Sequence, residues 1–324
     1  MADEDTLAQA LGQIPRFFPK FPWFGGDLQT LRNVLRPPRV DLAAWPGVAL
    51  AFDMQDGSGD QLIGDLHPAM EGSQRPLVIL IHGLTGSMDS FYIRVTAMHL
   101  LQAGYPVLRL NLRGAGPSRG RTRHFYHAGR SEDLQQVIGQ LDGRLAGNGV
   151  VLVGFSLGGN LMLKYLAERA HLAPVRAAVS ISAPIDLALT QQRISLPRNR
   201  RYHDFLVREM KREHPCPDDI RSILEFDDRV VAPANGFAGA ADYYRRCSAK
   251  TMLGAIRRPT LLIHAVDDPW IPSDMYRDLD LGGNRRLRLL MPRSGGHVGF
   301  HGWRLDRPWH DLAIACFLSA TCGG

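Results

Sequence analysis

The chain has 324 residues, of which 45% are apolar and 22% charged, with a net charge of +6. That balance is ordinary for a globular protein large enough to bury a core without a disulfide or metal staple. The four cysteines, Cys216, Cys247, Cys316 and Cys322, form no CxxC pair and no spaced Cys/His set, which excludes the usual zinc modules and a disulfide framework.

The N-terminus reads MADEDTLAQALG and lacks the basic and apolar regions of a signal peptide, and no run reaches the roughly 20 apolar residues that span a bilayer. A cytoplasmic protein with reduced thiols is therefore expected. Residues 1–40 read as a loop-like arm rich in Pro and aromatics (Phe17, Phe18, Phe21, Trp23, Phe24). It either packs on the body or forms a membrane-touching patch, so a peripheral membrane contact stays open.

VALAFDM at 48–54 and QLIGDL at 61–66 flank a Gly/Ser turn and predict an antiparallel pair. Apolar runs follow at 77–83, 105–112, 150–155, 176–182, 259–266 and 286–291. Continuous runs of this length suit strands covered on both faces, as in a parallel sheet. Helical spacing separates them. Phe91, Val95, Met98 and Leu101 predict one face of a helix over 88–103. Leu134, Val137, Ile138, Leu141 and Leu145 do the same over 131–145, and a third helix runs over 157–169. Alternation of this kind implies a mostly parallel, doubly wound α/β sheet of about eight strands.

Residues 184–252 break the alternation with charge and helical patches, and read as an inserted helical cap over the C-terminal edge of the sheet. The core is then 1–183 plus 253–324. The cap residues Ile194, Leu196, Phe205, Leu206, Ile223 and Leu224 either line an acyl pocket or form the cap's own core. Two arginine clusters, Arg113/Arg119/Arg121/Arg123 and Arg193/Arg198/Arg200/Arg201, read as solvated loop surface. No zinc-finger spacing, RNA-binding signature or interleaved aromatics accompanies them, so no nucleic-acid partner is expected.

The string GFSLG at 154–158 fits G-x-S-x-G. It closes the strand VVLVGF and opens LGGNLMLKYLAERA, the strand–turn–helix placement of a nucleophile elbow. The neighbours of the serine must be small because the turn is tight. Ser156 is thus the candidate nucleophile, and it needs a base. His297, in the Gly-rich loop SGGHVGF after the last strand, is the best of 12 histidines. His301 four residues on would pair with it at a metal only if the segment were helical, which Gly295-Gly296 opposes; no metal and no cofactor are expected. The orienting acid should follow PTLLIHAV: Asp268 is favoured and Asp267 is the runner-up. Asp227-Asp228 follows no buried strand and reads as structural. The backbone N–H groups of Leu157 and of Leu84, in HGLTG, are the candidate oxyanion donors. His82 reads as a structural residue of the strand-to-loop turn.

With those residues in place, the chain resembles the YheT-like branch of the α/β-hydrolases, a family of esterases and lipid hydrolases. The resemblance rests on WFGGDLQTL (23–31), HGLTGS (82–87), NLRGAGPS (111–118), FYHAGRSEDL (125–134), GFSLGGNLMLKYL (154–166), APANGFAGAADYY (232–244), DDPWIP (267–272) and GGHVGFHG (295–302). It implies the α/β-hydrolase fold, a charge relay of Ser156, Asp268 and His297, and a small-molecule or lipid ester (an acylglycerol, phospholipid or simple ester) as substrate. It assigns the FYHAG and LQT strings no role. The competing readings are an acyltransferase using the same three residues and a non-catalytic binding protein on a hydrolase scaffold.

Overall fold

Alternate residues of a buried strand point to opposite faces, so a run that is apolar throughout must be covered on both sides. In the computed structural model, which describes residues 11–69, 72–170, 173–279, 281 and 283–323, the central strands meet that condition. β1 (Val48–Asp53), β2 (Gln61–His67), β3 (Leu77–Ile81), β4 (Val107–Leu110), β5 (Val150–Phe155), β6 (Val175–Ile181), β7 (Thr260–Ile263) and β8 (Leu287–Leu290) form one sheet among the described residues. Its order is β1-β2-β4-β3-β5-β6-β7-β8. β1 pairs with β2 antiparallel, placing Val48 opposite Leu66, and β2 pairs antiparallel with β4. All remaining pairs are parallel. Each predicted strand is present, several shorter by a residue or more at an end.

Among the described residues, the helices of eight residues or more are α1 (Gly26–Leu35), α2 (Phe91–Gln102), α3 (Ser131–Gly139), α4 (Leu157–Glu168), α5 (Leu187–Ile194), α6 (Arg200–Glu213), α7 (Ala240–Cys247) and α8 (Trp309–Cys322). Leu77, Ile79 and Ile81 of β3 enter one core with α3 and α4. Val78 and Leu80 enter the other with α2 and α8. The period of two along one strand thus feeds both layers, and the chemistry falls at the shared C-terminal edge.

Four expectations are corrected. The buried side of α2 is Ile93, Ala97 and Leu100 with Val95 and Leu101, whereas Phe91 is exposed and Met98 only half-buried. Helix α3 stops at Gly139, and a separate turn over Gly143–Ala146 begins where the Asp142 side chain accepts from the N–H groups of Arg144 and Leu145. An aspartate that caps orphan N–H groups starts a new helix rather than extending the old one. The arm is not all loop, since it contains α1; its first ten residues lie outside the described residues. Arg113 is no solvated surface residue: it is 1% exposed and held by Asp133, Asp60 and Asp56 at 2.6–2.9 Å. A buried guanidinium needs paired charge, and three carboxylates supply it. Arg119, Arg121 and Arg123 are exposed, as expected.

Between β6 and β7, α5, α6 and a helical run over Ile223–Phe226 that continues into a π-turn pack a small cluster including Ile194, Leu206, Met210, Ile220 and Phe226, whereas α7 turns Ala240, Tyr243, Tyr244 and Cys247 into the core that holds α3 and α4. Leu84 and Trp270 of the body pack against the small cluster. Ile194, Leu206 and Ile223 are core of this cluster, while Leu196, Phe205 and Leu224 face solvent. Asp227 accepts from the Tyr244 hydroxyl at 2.6 Å and Asp228 from the Ala240 N–H at 2.8 Å, so both carboxylates tie the segment to itself.

Candidate active site

β5 ends at Phe155 and α4 begins at Leu157, which leaves Ser156 alone in the turn at φ 51°, ψ −125°. A non-glycine residue there is strained by about 1–3 kcal/mol, and the surroundings must enforce it. They do so by close approach. A Cβ at Gly154 would lie 2.7 Å from the Gly158 carbonyl oxygen, and one at Gly158 would lie 2.3 Å from that of His82. Glycine on both sides of the serine is a steric requirement of this backbone.

His297 comes to the serine from the loop after β8. Its Nε2 lies 3.0 Å from Ser156 Oγ and its Nδ1 2.9 Å from Asp268 Oδ2. The other oxygen of Asp268 accepts from the N–H groups of Trp270, 2.8 Å, and Ile271, 3.1 Å. Burial pushes the Asp268 carboxyl up, but the facing imidazole and the Ile271 N–H outweigh it and hold the group below the usual carboxylate range. Asp268 therefore stays ionised beside the ring. The indole of Trp270 stacks on that ring at 4.3 Å and 24°. Asp267 does something else: it accepts from Ser294 Oγ at 2.7 Å and from the Gly296 N–H at 2.9 Å, bracing the loop rather than the imidazole.

The 82–86 turn lies against the serine, since a Cβ at Gly83 would be 2.9 Å from Ser156 Cβ. The N–H groups of Leu84 and Leu157 take part in no turn or cap hydrogen bond among the described residues. His82 accepts from the Leu112 N–H at 3.0 Å through Nε2, and its Nδ1 donates to the Gly83 carbonyl at 2.8 Å. Burial pulls its pKa down to about 4, so it bridges strand to loop as a neutral ring. His301 offers no metal partner: its own segment is not helical, and no cluster of three or more metal-ligating side chains occurs among the described residues.

Two strings that sequence reasoning left without a role frame this site. In LQT, the wholly buried Gln29 accepts from the His301 N–H at 2.7 Å and donates to the Trp23 and His301 carbonyls at 2.7 and 3.1 Å. Thr30 Oγ1 accepts from the His297 N–H at 2.8 Å. Helix α1 is thus the back support of the histidine loop. In FYHAG, the Tyr126 hydroxyl accepts from the Thr85 N–H at 2.7 Å and donates to Glu213 of α6 at 2.9 Å. It fixes the turn that carries Leu84, in which Thr85 sits at φ 55°. Nothing local in either string said what its polar residues would meet. If the Leu84 N–H is an oxyanion donor, Tyr126→Phe should lower kcat on a soluble ester by about 10-fold with little change in KM, because a misplaced donor costs transition-state stabilisation rather than ground-state binding. Steady-state kinetics decides it; a rise in KM at unchanged kcat would place Tyr126 in substrate binding instead.

The sheet order and the strand–serine–helix turn define the α/β-hydrolase fold. A sequence model for the alpha/beta hydrolase fold matches residues 76–205. Escherichia coli YheT, which carries an esterase name, is 31% identical over 285 residues, covering 83% of this chain and 83% of its own length. A monoacylglycerol lipase of Saccharomyces cerevisiae is 29% identical over 75% of this chain, which spans 59% of the yeast protein. The Pyrococcus furiosus esterase Pf2001 superimposes with a TM-score of 0.60 at 19% identity, over 89% of this chain and all of that one. The chain belongs to the YheT-like branch of the α/β-hydrolases. Among the described residues no helix is long and apolar enough to cross a membrane.

Proposed function

We propose that the protein is a serine hydrolase of carboxylic esters, with lipid or acylglycerol esters as the substrate class. The single observation that carries the reading is the continuous chain from Asp268 Oδ2 through both ring nitrogens of His297 to Ser156 Oγ, at 2.9 and 3.0 Å. His297 Nε2 takes the Ser156 proton as Oγ attacks the ester carbonyl, forming the C–O bond of a tetrahedral intermediate. The N–H groups of Leu84 and Leu157 stabilise its oxyanion. Asp268 keeps the proton on Nδ1 and stabilises the imidazolium. The alcohol leaves with the proton from Nε2, and water, activated by the same ring, cleaves the acyl-enzyme to the acid. Residues 184–252 serve as the cap, with Leu84 and Trp270 at the junction where an acyl chain would lie.

The test is a p-nitrophenyl ester series from acetate to palmitate, run with and without an added short alcohol. Turnover to free acid across the series supports the hydrolase. Ester product dominating in water with added alcohol moves the assignment to acyl transfer, and no turnover of any ester refutes it.

A further inference from the structure

The arm that supports the histidine loop leaves large aromatic side chains uncovered. Phe17 is packed, meeting Phe300 and Trp309 edge-on at about 6 Å. Its neighbours are not: Phe18 is 63% exposed, Phe21 69%, Phe24 54%, and Trp303 54%. Backbone pairing of residues 18–20 with 301–303 brings them near one another. The Trp303 N–H donates to the Phe18 carbonyl at 2.7 Å, and the rings of Phe21 and Phe24 meet edge to face at 6.0 Å. A monomer has no folding reason to expose four large aromatic residues together, and such patches mark contacts.

The charge around them is predominantly positive. Between positions 11 and 40 stand Arg16, Lys20, Arg32, Arg36 and Arg39 against the single acid Asp27. Asp27 is itself paired with Arg198 at 2.8 Å. Near Trp303, Asp306 is taken by Arg307 at 3.3 Å. Lys20, Arg32 and Arg39 meet no carboxylate within ion-pair distance among the described residues, and with Arg307 and its partner Asp306 they line a cavity of about 170 Å³ between the arm and the histidine loop. His301 also lines it, with Nε2 buried and no hydrogen-bond partner. The space is large enough for several waters or for one phosphate group.

We propose that this surface docks the protein on an anionic phospholipid bilayer. Phe18, Phe21, Phe24 and Trp303 enter the boundary between headgroups and acyl chains, Lys20, Arg32 and Arg39 pair with lipid phosphates, and the cavity seats one of them. Aromatic side chains interleaved with cations suit that interface, where apolar burial and attraction to anionic headgroups add. A second copy of the chain is disfavoured, because a self-complementary contact would bring two cationic patches together. Gln29 and Thr30 bond the same arm to residues 301 and 297, so a docked bilayer lies beside the edge of the sheet that holds Ser156. The benefit to turnover rests on the ester-hydrolase reading; the docking does not.

The experiment uses the full chain carrying Ser156→Ala, so that vesicle lipids stay intact, in cosedimentation with vesicles of phosphatidylcholine alone or mixed with phosphatidylglycerol. Binding to the mixed vesicles should exceed binding to phosphatidylcholine by about 10-fold and fall with added salt. Phe21→Ser/Phe24→Ser and, separately, Lys20→Gln/Arg32→Gln should each weaken it by about 10-fold, with melting temperatures near that of the parent. Several results would overturn the proposal: no vesicle binding, equal binding to both compositions, binding indifferent to either double variant, or a dimer in sedimentation that Phe21→Ser/Phe24→Ser dissociates. Vesicle binding by this variant with no ester turnover by the unmutated chain sinks the hydrolase reading alone. Ester turnover with no vesicle binding sinks the docking alone.

Discussion

Ser156→Ala is expected to lower kcat on a p-nitrophenyl ester by on the order of 10⁴–10⁶-fold while leaving the melting temperature within a few degrees of the parent. The first half follows from the proposed mechanism: Oγ is the atom the imidazole faces, and without it the proposed acyl-enzyme cannot form. The second half follows from packing. Alanine retains the Cβ that Gly83 lies against, and the strained φ of 51° is imposed by the backbone around Gly154 and Gly158 rather than by the hydroxyl. The one hydrogen bond lost is that to His297, whose ring is still held by Asp268 and covered by Trp270. Paired kinetics and thermal melting are the measurement. Turnover within 10-fold of the parent, a loss far smaller than that expected for a lost nucleophile, would mean that another group attacks.

Asp268→Asn should cost about 10⁴-fold in kcat, whereas Asp267→Asn should cost about 10-fold or less. The two carboxylates are adjacent in the chain, yet they act on different things. An asparagine at 268 presents either an amide N–H₂ to His297 Nδ1, which places the ring proton on Nε2 and removes the base, or an uncharged oxygen that no longer stabilises the imidazolium. At 267 the carboxylate accepts from Ser294 and Gly296, so the substitution weakens a brace on the loop residues that precede the histidine and leaves the ring's own partners in place. Asp268 is held below the ordinary carboxylate range, first against burial and then by the imidazole it faces. It therefore remains charged through neutral and mildly acidic conditions, and the gap between the two variants should persist across that range. Measuring kcat for both variants over a pH series decides it, and a larger loss at 267 than at 268 would reverse the assignment.

The features read most directly from the chain were those encoded by local rules. A continuous apolar run such as LVILI has few places to go besides a strand covered on both faces, and GFSLG between a strand and a helix fixes a turn geometry by sterics alone. The loop histidine and the acid after β7 followed from where the elbow put the candidate nucleophile. What escaped was set by contacts distant in sequence. Gln29 meets His301 across 272 positions, and Tyr126 meets Glu213 across 87. No periodicity carries such a pairing, so α1 looked like part of an irregular arm. Helix α2 was misread because two apolar stripes overlap on it. The sheet and α8 take the stripe through Ile93 and Ala97, and leave Phe91 to solvent. Arg113 looked like its exposed neighbours because the three carboxylates that bury it come from Asp56, Asp60 and Asp133, two of them in a turn before β2.

The reading depends on Ser156 being an activated nucleophile and not merely a serine in a tight turn. A fluorophosphonate probe forms a stable phosphonyl bond to an activated serine oxygen and spares ordinary ones, and peptide mass spectrometry locates the adduct. One adduct per folded chain, on the peptide holding Ser156 and abolished by Asp268→Asn or by unfolding, is the predicted outcome. Folded protein that hydrolyses esters yet carries no adduct on Ser156, or carries it on a different residue, would contradict the account.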